Sequence, residues 1–197
     1  MEVSAASVAG PAVAAFAAVG SAGAAAVFVV AGPAGDGSKV VGKGQVRQTG
    51  DKGGTLLKFL THEDKDRITQ AIMAAEKMTS GELRVHVEKK AGKDPFLRAQ
   101  EVFAALGMEQ TRERNGVLFY LAVEDRRFVI LGDEGINNKV PVDFWEEIKE
   151  AMAAEFKEGR FAAGLIEGIR RAGEALARHF PYRHDDRDEL PNEISTS

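Results

Sequence analysis

The alternation of apolar and polar positions divides residues 56–182 into seven segments. From Thr61 to about Thr79, Ile68, Ile72 and Ala75 recur on one face, joined by Ala71 and Met78, and this spacing predicts a helix. Thr61 followed by Asp64 reads as a variant capping box, and Ser80-Gly81 as a stop. Residues 82–88, ELRVHVE, alternate strictly, with Leu83, Val85 and Val87 on one side and Arg84, His86 and Glu88 on the other. That is a strand with one polar or helix-covered face. Asp94-Pro95 opens a helix over 95–106, with Phe96, Ala99, Val102, Phe103 and Leu106 inward and Gly107 at its end. VLFYLAV at 117–123 is apolar throughout, as expected of an inner strand covered on both faces. EDRR at 124–127 turns the chain into FVIL at 128–131. So short a connection demands an antiparallel hairpin. GDEGIN at 132–137 follows as an acidic loop with two glycines. Helices are then expected over 142–158, with Phe144, Trp145, Ile148, Met152 and Phe156 as the apolar stripe, and over 160–179.

The helix between the strands at 82–88 and 117–123 is the pattern of a right-handed parallel crossover. One parallel and one antiparallel pairing make the sheet mixed, with helices packed against it.

Composition changes this picture mainly at the two ends. Residues 3–35 carry no charge, and 1–56 read as an Ala/Gly-rich low-complexity extension without the periodicity of a core. Within it, residues 12–31 are long enough to cross a bilayer. They are mostly alanine, however, and the start, MEVSAAS, lacks the positive region of a secretory signal. A membrane anchor or export signal is therefore one reading. A disordered extension, or an upstream region with the functional protein starting near Leu56, is the other. Residues 37–44, GSKVVGKG, approach a phosphate loop, but Gly44 stands where a hydroxyl would hold Mg²⁺. Residues 183–197 form a short acidic tail. The net charge of −4 gives no reason to expect a nucleic-acid partner. The absence of cysteine excludes disulfides, thiolate zinc sites and a cysteine nucleophile.

NGVLFYLAVEDRRFVILGDEGIN, then FWEEI, then FKEGRFAAGLIEGI, resemble the TPM domain family over about residues 57–182. That family includes a plant thylakoid-lumen protein of photosystem II repair and many bacterial proteins. The ending HFPYRHDDRDELPNEIS is similar to a bacterial subgroup without signal peptide or anchor, which implies a cytoplasmic location; the extra N-terminal residues depart from that subgroup. The resemblance implies a Rossmann-like α/β fold, a three-layer α/β/α sandwich with a twisted mixed sheet and helices on both faces. It also implies binding of a divalent cation and a phosphatase activity of the kind claimed for the plant relative.

The residues narrow the chemistry. Ser80 is the sole serine within 57–182, and neither G-x-S-x-G nor a paired-histidine zinc spacing occurs. His86, alone on a strand's polar side, reads as structural. Oxygen ligands remain. Asp133, Glu134 and Asn137, with Asp143, are the local candidates for Ca²⁺ or Mg²⁺, at the exit of a strand and the entrance of a helix. The alternative is that Asp133 and Asp143 cap and charge-complement the helix over 142–158. Glu124 and Asp125 lie at the other end of the second hairpin strand, roughly 13 Å away at about 3.3 Å per residue, so the two acidic clusters are not one site. In a metal-assisted acid phosphatase, Asp133 or Glu134 would be ligand or base, and Arg126, Arg127 or Arg84 would pair with phosphate. The rival class is a non-catalytic interaction or regulatory module, with the tail bearing Leu190 and Ile194 docked on its own domain or on a protein partner.

Overall fold

The sheet has five strands in the order β1-β4-β3-β2-β5. A computed structural model describes residues 26–31, 59–92, 94–182 and 190–197. The phosphate-loop-like stretch 37–44, most of the apolar stretch 12–31 and the charged run 183–189 lie outside the described residues.

α1 (His62–Glu76) starts at the expected capping box: Asp64 N donates to the Thr61 hydroxyl at 3.1 Å, and Thr61 N to the Asp64 carboxylate at 3.0 Å. The helix ends sooner than its apolar spacing suggests, because Thr79 leaves it to form a bridge with Pro181. β2 (Leu83–Glu88) and β3 (Val117–Ala122) run parallel, joined over α2 (Pro95–Ala105) and a short 3-10 turn (Met108–Gln110). β4 (Arg127–Gly132) returns antiparallel to β3, with Phe119 opposite Ile130. A one-turn helix α3 (Glu134–Asn137) follows, then α4 (Phe144–Lys157) and α5 (Phe161–His179). The expected mixed sheet and its hairpin are therefore present, and β3, the continuous apolar run, is the central strand with all six residues buried.

Two strands lie outside the seven expected segments. β1 (Ala26–Ala31), AVFVVA, pairs antiparallel with β4 from Ala26↔Gly132 to Ala31↔Arg127. β-branched and aromatic residues are what an open sheet edge takes up, and here they come from the Ala/Gly-rich extension. β5 (Ser195–Thr196) pairs parallel with the opposite edge, His86↔Ser195 and Val87↔Thr196. Among the described residues no helix is long and apolar enough to cross a membrane.

Helices cover both faces of the sheet, as in an α/β/α sandwich. On one face Leu83, Val85, Phe119 and Ile130 pack with Ile72 of α1, Met152 of α4 and Ile169 of α5. α5 comes in close because it carries glycines: a Cβ on Gly168 would meet Met152 Sδ at 2.6 Å, and one on Gly173 would meet Ala75 Cβ at 2.6 Å. On the other face Leu118, Tyr120 and Val129 pack with Val102 and Phe103 of α2 and with Met108. This second cluster is smaller and leaves part of β2 to be covered by polar contacts.

Candidate functional site at the exit of strand β4

GDEGIN is a built corner. Asp133 leaves β4 with its amide donating to Gly116 O at 2.9 Å. Its side chain caps α3 by accepting from Glu134 N at 2.7 Å. Both carboxylate oxygens also take a fork from Arg114, Nε to Oδ2 at 2.8 Å and a terminal nitrogen to Oδ1 at 2.9 Å. Asp133 is 1% exposed. Arg114 sits at φ 52, closing the turn after Thr111, and its carbonyl accepts from Gly135 N at 2.7 Å. The two loops therefore meet through backbone and side chain together. Gly135 permits the contact: a Cβ there would lie 2.1 Å from Glu113 O. The hydrogen bonds to Asp133 hold the Arg114 guanidinium protonated more firmly than usual, and the charges of Glu134 and Glu109 add to this.

Asn137 is a clip. Its amide nitrogen donates to Gly132 O at 2.6 Å, and its amide oxygen accepts from Trp145 Nε1 at 2.9 Å. It thereby ties the end of β4 to α4. Glu134 and Asp143 are exposed. Asp143 occupies the N-cap position of α4 without a side-chain capping bond. Of the two helix-capping roles open to Asp133 and Asp143, Asp133 takes one, but for the one-turn helix α3.

Of the four candidate ligands, two are committed to the fold and two face solvent. A divalent cation needs several oxygens with free lone pairs. The Asp133 oxygens carry a guanidinium and the Asn137 oxygen carries an indole N–H, so the residues as arranged do not fit a resident cation. Among the described residues, no group of three or more His, Asp or Glu is placed to hold a metal ion. At the far end of β4, Arg126 and Arg127 are exposed, and Asp125 accepts from Ala91 N at 2.8 Å. Arg84 is buried on β2. Arg126 and Arg127 thus lie at the opposite end of β4 from the acidic loop.

A second polar constellation, which sequence reasoning did not assemble, lies on the α2 side of β2. Arg98 of α2 grips Glu88 with a fork, both contacts at 3.0 Å. The Tyr120 hydroxyl donates to the same carboxylate. Ser197 Oγ donates to Glu88 Oε2 at 2.8 Å. His86 places Nδ1 2.9 Å from Ser195 Oγ and Nε2 3.2 Å from Ser197 Oγ. Because the single Ser197 hydroxyl proton goes to Glu88, Ser197 accepts from Nε2–H, while the Ser195 hydroxyl is shared between Nδ1 and Val85 O at 3.3 Å. Burial pushes His86 below its ordinary value, partly opposed by the Glu88 charge. Burial pushes Glu88 up, but hydrogen bonds from Arg98, Tyr120 and Ser197 outweigh it and hold the carboxyl below its ordinary range. Burial, then the bond to Glu88, push the Tyr120 phenol well above its ordinary value. The sequence signal for this cluster was the Arg84-His86-Glu88 alternation on a strand whose polar side would be covered.

Residues 56–175 match the family described as the TPM domain. Among solved structures, the NMR structure of BA42 protein from the psychrophilic bacterium Bizionia argentinensis is similar, with 53% sequence identity and a TM-score of 0.67. The match covers 71% of this chain and 96% of that one. No curated protein matches the chain. The chain belongs to the TPM domain family.

Proposed function

We propose that this TPM domain acts as a non-catalytic binding module rather than as a phosphatase. The observation that carries the reading is the state of Asp133. Metal-assisted hydrolysis needs a carboxylate free to ligate a cation or to take a proton. Asp133 has both oxygens engaged by Arg114 and one also by the Glu134 amide. Turnover of p-nitrophenyl phosphate by wild type and by Asp133→Asn tests this. Equal background turnover in both is expected. A clear loss of turnover in Asp133→Asn, with the fold intact, would overturn it.

The second reading is a Ca²⁺ or Mg²⁺ site at the same loop, with phosphatase activity attached to it. The exposed carboxylates of Glu134 and Asp143, beside the exit of β4, favour it. Recruiting Asp133 to that site requires Arg114 to leave. Titrating Ca²⁺ while recording amide and arginine side-chain signals reads this directly. Shifts confined to 132–143 together with a shifted Arg114 Nε signal support the cation site, and an unchanged loop rules it out.

A further inference from the structure

We propose that the outer side of β2, where β5 pairs, is a receptor for an extended segment of a partner protein, and that residues 190–197 are its built-in occupant. This deepens the binding-module reading and rests on it.

Residues 190–197 bind the domain as a peptide ligand would. Ser195 and Thr196 add a parallel strand to β2. The flanking apolar residues straddle the edge, Leu190 against the α2-side cluster and Ile194 against the cluster on the other face. The two serine hydroxyls meet the buried polar groups of the edge: Ser195 reaches His86 and Val85 O, and Ser197 reaches His86 and Glu88. The pattern read is an apolar residue, then a hydroxyl residue, any residue, and a second hydroxyl residue. Main-chain pairing gives affinity and alternate side chains give specificity, which is recognition by strand addition. Truncating either serine to alanine would remove a partner from a buried His or Glu.

The built-in occupant is a weak one. It pairs with only two of the six residues of β2. By the same register a longer strand would set Ile194, Glu193 and Asn192 opposite Val85, Arg84 and Leu83, and Pro191 stands just beyond the start of β2. Its advantage is its tether, since a linked segment competes at high effective concentration. This decides the identity of the partner. A second copy of the chain would bring the same two-residue pairing and no compensation for losing the tether. A segment of another protein with the same apolar-hydroxyl pattern and a longer strand gains ladder bonds and displaces residues 190–197.

The test uses the full chain and fluorescent octapeptides read by anisotropy. The first is LPNEISTS, the sequence of residues 190–197. The second carries Asn192→Val and Glu193→Thr, at the positions that face Leu83 and Arg84, which lengthen the strand. The third adds Ser195→Ala and Ser197→Ala to the second. The second peptide is expected to bind about tenfold more tightly than the first, and the third to lose about tenfold relative to the second, as one or two hydrogen bonds to buried charged or polar groups would require. On binding, the backbone amide signals of the chain's own Ser195 to Ser197 move to their free-peptide positions. A full chain with Ile194→Asp, which weakens its own strap, binds every peptide more tightly than wild type. Equal binding of the second and third peptides overturns the proposal, as does no binding of the second peptide to either chain. Neither outcome depends on p-nitrophenyl phosphate turnover, so failure here and failure of the non-catalytic reading are separately visible.

Discussion

Asp133 and Glu88 are both buried carboxylates gripped by an arginine fork, yet they hold different things together. The Asp133–Arg114 grip joins two loops that are already bound through backbone, by Gly135 N to Arg114 O and Asp133 N to Gly116 O. The Glu88–Arg98 grip joins β2 to α2, and its remaining lone pairs are filled by Tyr120 and by a serine from the far end of the chain. The first is part of the frame. The second has one face that only residues 190–197 complete. A buried charge must be satisfied in either state of the molecule. A cluster that depends on a short segment is therefore one that can exchange that segment, whereas a cluster closed by backbone cannot.

The loop corner should break hardest. In Gly135→Ala the new Cβ would meet two backbone carbonyls, at 2.1 and 2.6 Å, which no rotamer change can relieve. A loss of about 3 kcal/mol or more is expected, at the upper end of overpacking costs, read by denaturant unfolding. Arg114→Ala comes next. It strands a carboxylate whose side chain is 2% exposed, while the arginine it removes is 41% exposed. Breaking a fully buried pair costs about 3–5 kcal/mol; the exposed arginine reduces this to about 2 kcal/mol. In both variants the amides of Ser195 to Ser197 should loosen only together with the whole domain. Selective release of that segment would mean that the two clusters are coupled.

The difference between the regions also governs what could be read from the sequence. The β3–β4 hairpin and the parallel β2–β3 crossover were legible because apolar runs and connection lengths are local signals. β1 was not, because AVFVVA lies inside an alanine-rich stretch and gains meaning only from the open edge of β4. α3 was not, because four residues carry no period. Asp133, Glu134, Asn137 and Asp143 read from the sequence as a set of oxygen donors, but donor type says nothing of which lone pairs are already taken. Arg114 and Trp145, which take them, lie 19 residues before Asp133 and 8 residues after Asn137. Ser195 and Ser197 were harder still, since their partners His86 and Glu88 are 109 residues away.

At the β2 edge the effects should be smaller and local. Tyr120→Phe removes one of the donors to Glu88 and leaves Arg98 and Ser197 in place. About 1 kcal/mol of destabilisation is expected, the net worth of one hydrogen bond. Thermal melting measures it. A loss as large as that of Arg114→Ala would show that the edge cluster is frame as well.

Acid should act on the same edge with the smallest effect. His86 is faced by Arg84 and Glu88 from its own strand, by Tyr120 from β3, by Arg98 from α2 and by the two serines of the strap. Its folded-state value lies below the ordinary 6.5 because burial disfavours the charged ring. A group depressed in this direction binds its proton more readily once the strap has left and water reaches it. Below pH 6.5 the open state is therefore favoured progressively, until the pH falls beneath the folded-state value. Glu88, held below its ordinary 4.5, adds a second loss only at still lower pH, as it protonates in the folded state. Hydrogen exchange at Ser195 to Ser197 should accordingly show a larger opening fraction at pH 5.5 than at pH 7.5, after correction for intrinsic exchange. Exchange in the loop around Asp133 should not follow it. An opening fraction independent of pH over that range would mean that His86 does not sense the strap.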